Sequence, residues 1–584
     1  MTNYSHFEAF DNRTDLKKYG DNAHLLYALD MYEKVDDIHS VAANSLTDGN
    51  DDKKCDLVYI DEEKGTAILA QGYFSKSKSG SAPANKASDL NTAVAWLLNG
   101  NLEKIGNLKL KPKAKELREA IINGSIEHIE LWYVHNCQES VNVLNEIEQA
   151  EKTAHSILNS VFKDSNVSSV KAFEVGNKTL EQWYIDSQTV ISVTEEFNLK
   201  LIGGYEMISE KWKAYVTTVS AEWIYDLYEK YGENKKLFSA NVRDYLGHRN
   251  SDKNINNTIK TTASNQPNNF WVYNNGITAL VNNFQVDKTS NSLTIKGISI
   301  VNGAQTTGSI GSLKSSPNAD TLVPIRFVKC DDTEIVQSII NYNNSQNKIE
   351  AADFRSKDSV QKRLRDEFSK IKEVYYDGGR RSEENNAIKG AYGINYLPAY
   401  TIAQTLMAFQ EKPIIAANKK SEIWINNDLY SKIFNDSTNA ENIIFVYSLF
   451  RSLENYKLNL DTKESLTETE EKLLEFLRIK KSYYIIISAI SYSLEDIMAQ
   501  PLTNKERVSF GLITPEKAIE LWNIILQAML KLSVTNLIKN YEDNLIGNEE
   551  KVQESIKEFR SMLSSFREFA RDSFDEFSKK IIIK

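Results

Sequence analysis

Apolar positions change period several times along this chain. Leu25, Leu26, Leu29 and Met31–Tyr32 recur near helical spacing and predict a helix over Asn22–Glu33, with a second over Asp37–Ala43. The period then drops to two. Leu57–Ile60 predicts a strand, Asp61–Gly65 a turn and Thr66–Phe74 the partner strand. A hairpin pivoting between Glu63 and Lys64 sets Asp56 opposite Gln71, and alternation puts Gln71, Tyr73 and Ser75 on one face. Asn85–Leu98 predicts a helix able to pack across the sheet. His128–His135 predicts a buried strand, about Glu139–Val161 a long helix, and Val170–Val175 with Leu180–Ile185 a strand and a helix. This alternation predicts an α/β domain ending near Ser187.

Beyond it, Trp212–Ser220 predicts a strand and Ala221–Tyr231 a helix. Apolar runs at Phe270–Tyr273, Ile277–Val281, Leu293–Ile295 and Ile298–Val301 predict short strands separated by turns. Asn302-Gly303 breaks the last run, and Ala304–Ile310 opens a helix. A strand, a glycine turn and a helix N-terminus form an anion site, because unpaired N–H groups and the helix dipole face the ligand. Gln305 and Thr306 are polar just where the strand ends. Val323–Val328 and Asp332–Asn341 predict a further strand and helix, followed by the polar block Asn343–Asn347. From about Tyr392 the pattern is helical, with Phe559, Leu563, Phe566, Phe569 and Phe574 expected in a bundle core. The expected architecture is α/β and multidomain. It comprises an α/β domain at 1–187, a central α+β region at 188–375 and a helical domain at 376–584.

Four stretches carry a resemblance: LFSANVRDYLG at Leu237–Gly247, YNNGIT at Tyr273–Thr278, VNGAQTTGSI at Val301–Ile310 and NNSQNKIEAADFRSKD at Asn343–Asp358. Together, in this order, they resemble the AIPR (abortive infection phage resistance) family. The resemblance implies antiphage defence, with the central region recognising a phage-derived trigger or a substrate; three scattered cysteines and a polar N-terminus fit the cytoplasm. Candidate contacts there are Arg243, Asn275, Asn302, Gly303, Gln305, Thr306, Asn344 and Gln346. Arg243 is chosen because a guanidinium pairs well with phosphate.

The Asp56/Gln71 hairpin is similar to the core of PD-(D/E)XK nucleases, a restriction-endonuclease-like α/β fold. That likeness implies Mg2+ or Mn2+ held by Asp56 and Gln71, since hard oxygen ligands suit these ions. It also implies hydrolysis of a DNA phosphodiester. Tyr73 stands where the motif has lysine, so the cation must come from elsewhere, with Lys76 and Lys86 as candidates. Asp48, Asp51, Asp52 and Glu33 are further possible ligands. The alternative is an inert nuclease fold serving as a sensor that binds a nucleotide, nucleic acid or a phage protein.

Composition narrows this picture. A net charge of −10 over 584 residues repels nucleic acid in bulk, so any contact must be local. The clearest basic run of the first domain is Lys104–Arg118. Three scattered cysteines, Cys55, Cys137 and Cys330, give no zinc or disulfide framework. No apolar run reaches membrane-spanning length. No P-loop pattern occurs, which argues against an intrinsic nucleotide-driven motor. The helical C-terminus offers a possible homodimer interface.

Overall fold

The period-two stretch folds as its pattern demands in a computed structural model of the chain. The structure describes residues 4–584 except 77–79, 233–235, 240–252, 314, 319, 345–351, 353–354, 357, 380–384, 464 and 543–547. Two compact units result. One comprises Met1–Glu8, Tyr27–Glu33 and Thr47–Ile349; the other comprises Ala9–Leu26, Lys34–Leu46 and Glu350–Lys584.

The first unit holds two sheets. Strands β1 (Leu57–Asp61), β2 (Thr66–Tyr73), β3 (His128–His135) and β4 (Ser169–Val175) lie in that order, with β1 antiparallel to β2 and the rest parallel. Leu57 pairs with Ala70 and Asp61 with Thr66, the register expected from the pivot. One sheet face packs on the helices Ala84–Leu98, Leu110–Ile122 and Val141–Val161 through Val58, Leu69, Leu131, Leu90, Leu117 and Ile147. Ser140 caps the third helix by accepting from the Val143 amide. On β3, Glu130 accepts from the Trp132 indole and the Tyr32 hydroxyl, and both rings pack with Trp183.

The second sheet has seven strands. They are β5 (Val193–Lys200), β6 (Tyr205–Ile208), β7 (Trp212–Ser220), β8 (Ile277–Leu280), β9 (Asn283–Asp287), β10 (Ser292–Asn302) and β11 (Leu322–Cys330). Their order is β5-β10-β8-β11-β7-β6, with β9 also pairing β10. Ile224, Ile259 and Ile310, from the helices Ala221–Tyr231, Lys253–Asn265 and Ala304–Gly311, help form the core on one face. Ile340 of the helix Thr333–Asn344 packs on Leu280 and Val328 of the other.

Two expectations are corrected. Phe270–Tyr273 is a single helical turn, not a strand, in which Phe270 is buried and Trp271, Val272 and Tyr273 are exposed. Leu293–Ile295 and Ile298–Val301 belong to one strand, β10, interrupted at Gly297, whose φ of 67° marks a bulge.

The second unit is helical. Its long helix Ala440–Asp461 is buried along most of its length and carries Arg451 into the interior. There the guanidinium bonds Asp37 (2.7 Å), Glu454 (2.5 Å) and the Tyr447 hydroxyl (2.8 Å). Phe559, Leu563 and Phe574 join the core as expected, whereas Phe569 is exposed. Among the described residues no helix is long and apolar enough to cross a membrane.

Asp377 is a second buried acid of this unit. Burial, then the nearby Asp36 carboxylate, pushes it up to about 7. Its partners are the Tyr396 hydroxyl (2.9 Å) and the Gly379 amide (3.0 Å). Because its folded pKa lies above the unfolded value of about 3.9, stability falls as pH rises through that window and levels off above it. Asp377→Asn should therefore be increasingly stabilising, relative to wild type, from pH 5 to pH 7.5. Denaturant melts at several pH values check the slope.

Candidate functional site

Asp56 closes a tight acidic loop. The Thr47 amide donates to the Asp56 carbonyl (2.9 Å) and the Thr47 hydroxyl to the Cys55 carbonyl (2.7 Å). Within the loop Asp51, Lys53 and Lys54 have φ of 56°, 51° and 68°, a backbone that residues with a Cβ adopt at a cost. Asp48, Asp52 and Asp56 each bring a carboxylate oxygen to within 4.8 Å of the others.

Burial pushes the Asp56 carboxyl up to about 6. The Gly72 amide, donating at 2.7 Å, opposes this, Asp48 and Asp52 reinforce it, and Lys86 draws it down again. β1 begins at Leu57, paired with Ala70, and Asp56 just before it is tied to β2 on either side of Gln71: its amide donates to the Ala70 carbonyl (2.9 Å) and its carboxylate accepts from the Gly72 amide (2.7 Å). Gln71 is buried, and its Oε1 has no hydrogen-bond partner among the described residues. Such an orphan costs about 1–3 kcal/mol. The three carboxylates gathered within 4.8 Å are hard oxygen ligands of the kind that Mg2+ or Mn2+ takes and fit the ion, and the Gln71 amide oxygen is a ligand of the same kind.

The remaining candidates separate. Lys86, from the first turn of the Ala84–Leu98 helix, is the cation whose field reaches Asp56. Lys76 is exposed beyond β2. Asp51 is engaged by Lys53 and the Gly106 amide, and Glu33 by Lys64. In the basic run, Arg118 donates to the carbonyls of Trp96, Leu97 and Gly100, and Lys111 and Lys113 pair with Glu103 and Glu116.

The central motifs meet in the seven-stranded sheet. Gly303 has φ of 94°, and a Cβ there would lie 2.9 Å from Ile277 Cγ1. A Cβ on Gly276 would lie 2.6 Å from the Pro324 carbonyl oxygen. Gly303 lets VNGAQT pack closely on YNNGIT, and Gly276 lets YNNGIT pack closely on β11. Asn302 stands opposite Thr278, and Thr278 beside Arg326. Arg326 donates to Thr278 Oγ1 (3.1 Å) and Asn343 Oδ1 (2.9 Å), so one guanidinium ties together residues from two motifs.

Sequence reasoning did not select Arg326. Its signal was a lone exposed arginine alternating with buried positions in LVPIRFV. Gln305 is half-buried, Asn275 exposed and Thr306 buried. Arg243 and Gln346 lie outside the described residues, as does the side chain of Asn344.

A family model described as AIPR protein matches residues 238–549. The chain belongs to the AIPR family. AIPR membership supports a role in abortive infection against phage. The match takes in the Arg326 cluster and leaves the carboxylate cluster outside it. No curated protein and no solved structure matches the chain.

If Asp48, Asp52, Asp56 and Gln71 hold a cation, millimolar Mn2+ will raise the melting temperature of the wild-type protein. Asp52→Asn should weaken that response at least tenfold in concentration. Gln71→Leu should leave the metal-free protein as stable or more stable, since it removes an orphan, yet blunt the shift. Thermal melts across an Mn2+ titration check both outcomes.

Proposed function

We propose that this AIPR protein is a metal-dependent nuclease of antiphage defence that cuts DNA phosphodiesters at the Asp48/Asp52/Asp56/Gln71 cluster. The observation supporting this reading is the buried Gln71 oxygen, without a hydrogen-bond partner among the described residues, between the two β2 residues that Asp56 bonds, with Asp48 and Asp52 gathered at Asp56. A bound Mg2+ or Mn2+ would supply an activated water and charge stabilisation on the phosphate. The four side chains would fix the ion against the sheet edge. Gly72, through its amide, orients Asp56. Lys86 supplies the positive charge that Tyr73 cannot, meeting the phosphate as negative charge builds on it.

A second reading is favoured by one observation: the family match covers the Arg326 cluster but not the carboxylates. In that reading the N-terminal sheet is an inert scaffold and the central region is the sensor.

Purified protein should nick supercoiled plasmid in Mg2+ or Mn2+. Asp56→Ala should abolish nicking, and Lys86→Ala should slow it by about 10²-fold. No cleavage under either ion, with or without phage lysate, would sink the nuclease reading. Phage challenge separates the two readings, because a sensor keeps its protection in Asp56→Ala.

A further inference from the structure

The described arginines are used in different ways, and Arg118 gives its N–H groups to three backbone carbonyls. Arg451, Arg478, Arg560 and Arg567 each pair with a carboxylate. Arg326 is exposed, and its hydrogen-bond partners among the described residues, Thr278 and Asn343, are both uncharged. Both bonds come from the same terminal nitrogen, so the guanidinium is oriented without being neutralised. An oriented, unneutralised guanidinium is the recognition element for a phosphate group.

The strand register extends the site. Tyr205 of β6 pairs with Val216 of β7, Val216 with Arg326, Arg326 with Thr278, and Thr278 with Asn302. Directly paired residues share a sheet face, so these five form one row. Tyr205, 60% exposed, lies two strands from Arg326, or about 10 Å at the usual strand spacing. At the other end, Asn302 leads into Gly303 and the helix Ala304–Gly311, whose dipole adds positive potential. The row holds one cation among neutral side chains. A nucleic-acid backbone would call for a track of cations; a single charge with an aromatic ring at that distance suits one phosphate and one base.

We infer that the row Tyr205–Val216–Arg326–Thr278–Asn302 binds a nucleoside phosphate, the phosphate on Arg326 and the base stacked on Tyr205. This rests on reading the central region as the recognising part of the AIPR protein. It does not depend on whether the carboxylate cluster cuts.

The test is calorimetric titration of the full-length protein with adenosine and guanosine monophosphates, adenosine, inorganic phosphate and a 5′-phosphorylated hexadeoxynucleotide. The monophosphates are expected to bind, adenosine not to, and inorganic phosphate to bind more weakly. Arg326→Ala should weaken monophosphate binding at least tenfold with the ligand-free melting temperature unchanged. Should that variant melt lower, Arg326→Gln replaces it. Tyr205→Ala should weaken the monophosphates about tenfold and leave inorganic phosphate as it was. The Asp56→Ala protein should bind as wild type does, which keeps this result separate from any loss of cleavage. Three outcomes overturn the proposal: neither monophosphate binds at about 10 mM, Arg326→Ala binds undiminished, or the hexanucleotide binds more than tenfold tighter than the monophosphates.

Discussion

Gly65 closes the four-residue turn between β1 and β2 at a φ of 68°. Its carbonyl also accepts from the amides of Glu127 (2.8 Å) and His128 (3.0 Å), where β3 begins. One left-handed residue thus pins the hairpin and aligns the next strand. Everything proposed for the carboxylate cluster depends on this. The hairpin locks Asp61 opposite Thr66, which carries through to Leu57 opposite Ala70 and leaves Asp56 bonded to Ala70 and Gly72, the neighbours of Gln71. A slip of one residue would turn Gln71 away from Asp56 and its burial would lose its meaning.

The Arg451 and Asp56 clusters handle charge in opposite ways. Around Arg451 opposite charges meet: Asp37 and Glu454 bracket the guanidinium, and Tyr447 accepts its Nε–H. Burial alone would favour the neutral forms, yet the guanidinium holds Asp37 well below the usual carboxylate range. Nothing there calls for a further ligand. Around Asp56 the charges are alike, the backbone that presents them is strained, and an amide oxygen goes without a donor. A fold tolerates such conflict where something outside the chain resolves it. That contrast is the physical reason to seek chemistry at the first cluster and architecture at the second.

Local patterns were legible in the sequence, and non-local pairings were not. The β1/β2 register could be read because a short turn and a period of two leave few alternatives. Phe270–Tyr273 could not, since a four-residue run of aromatic and β-branched residues fits a strand or a buried helical turn equally well. Gly297 hid a continuous strand by looking like punctuation when it is a bulge. Arg326 was missed for a third reason. Its importance comes from the parallel pairing of β8 with β11, strands separated in the chain by β9, β10 and a helix. Nor did the pattern reveal that Ala9–Leu26 and Lys34–Leu46 group with the C-terminal half.

Net charge bears on how the proposed nuclease would meet its substrate. A chain of net charge −10 with three carboxylates at its candidate cleavage site repels a phosphodiester from that site. Lys86 alone cannot reverse the sign. Raising Asp56 to about 6 lowers its charge only below that pH, and at neutral pH Asp56 stands mostly ionised. A divalent cation would offset two of the three negative charges and give Gln71 a partner at once. On this reading the ion precedes the DNA: the cluster that repels the substrate is also what gathers the charge needed to receive it. Cleavage and DNA affinity at this site would then share one dependence on metal, while Arg326, whose charge is permanent, would recognise the proposed nucleoside phosphate without one.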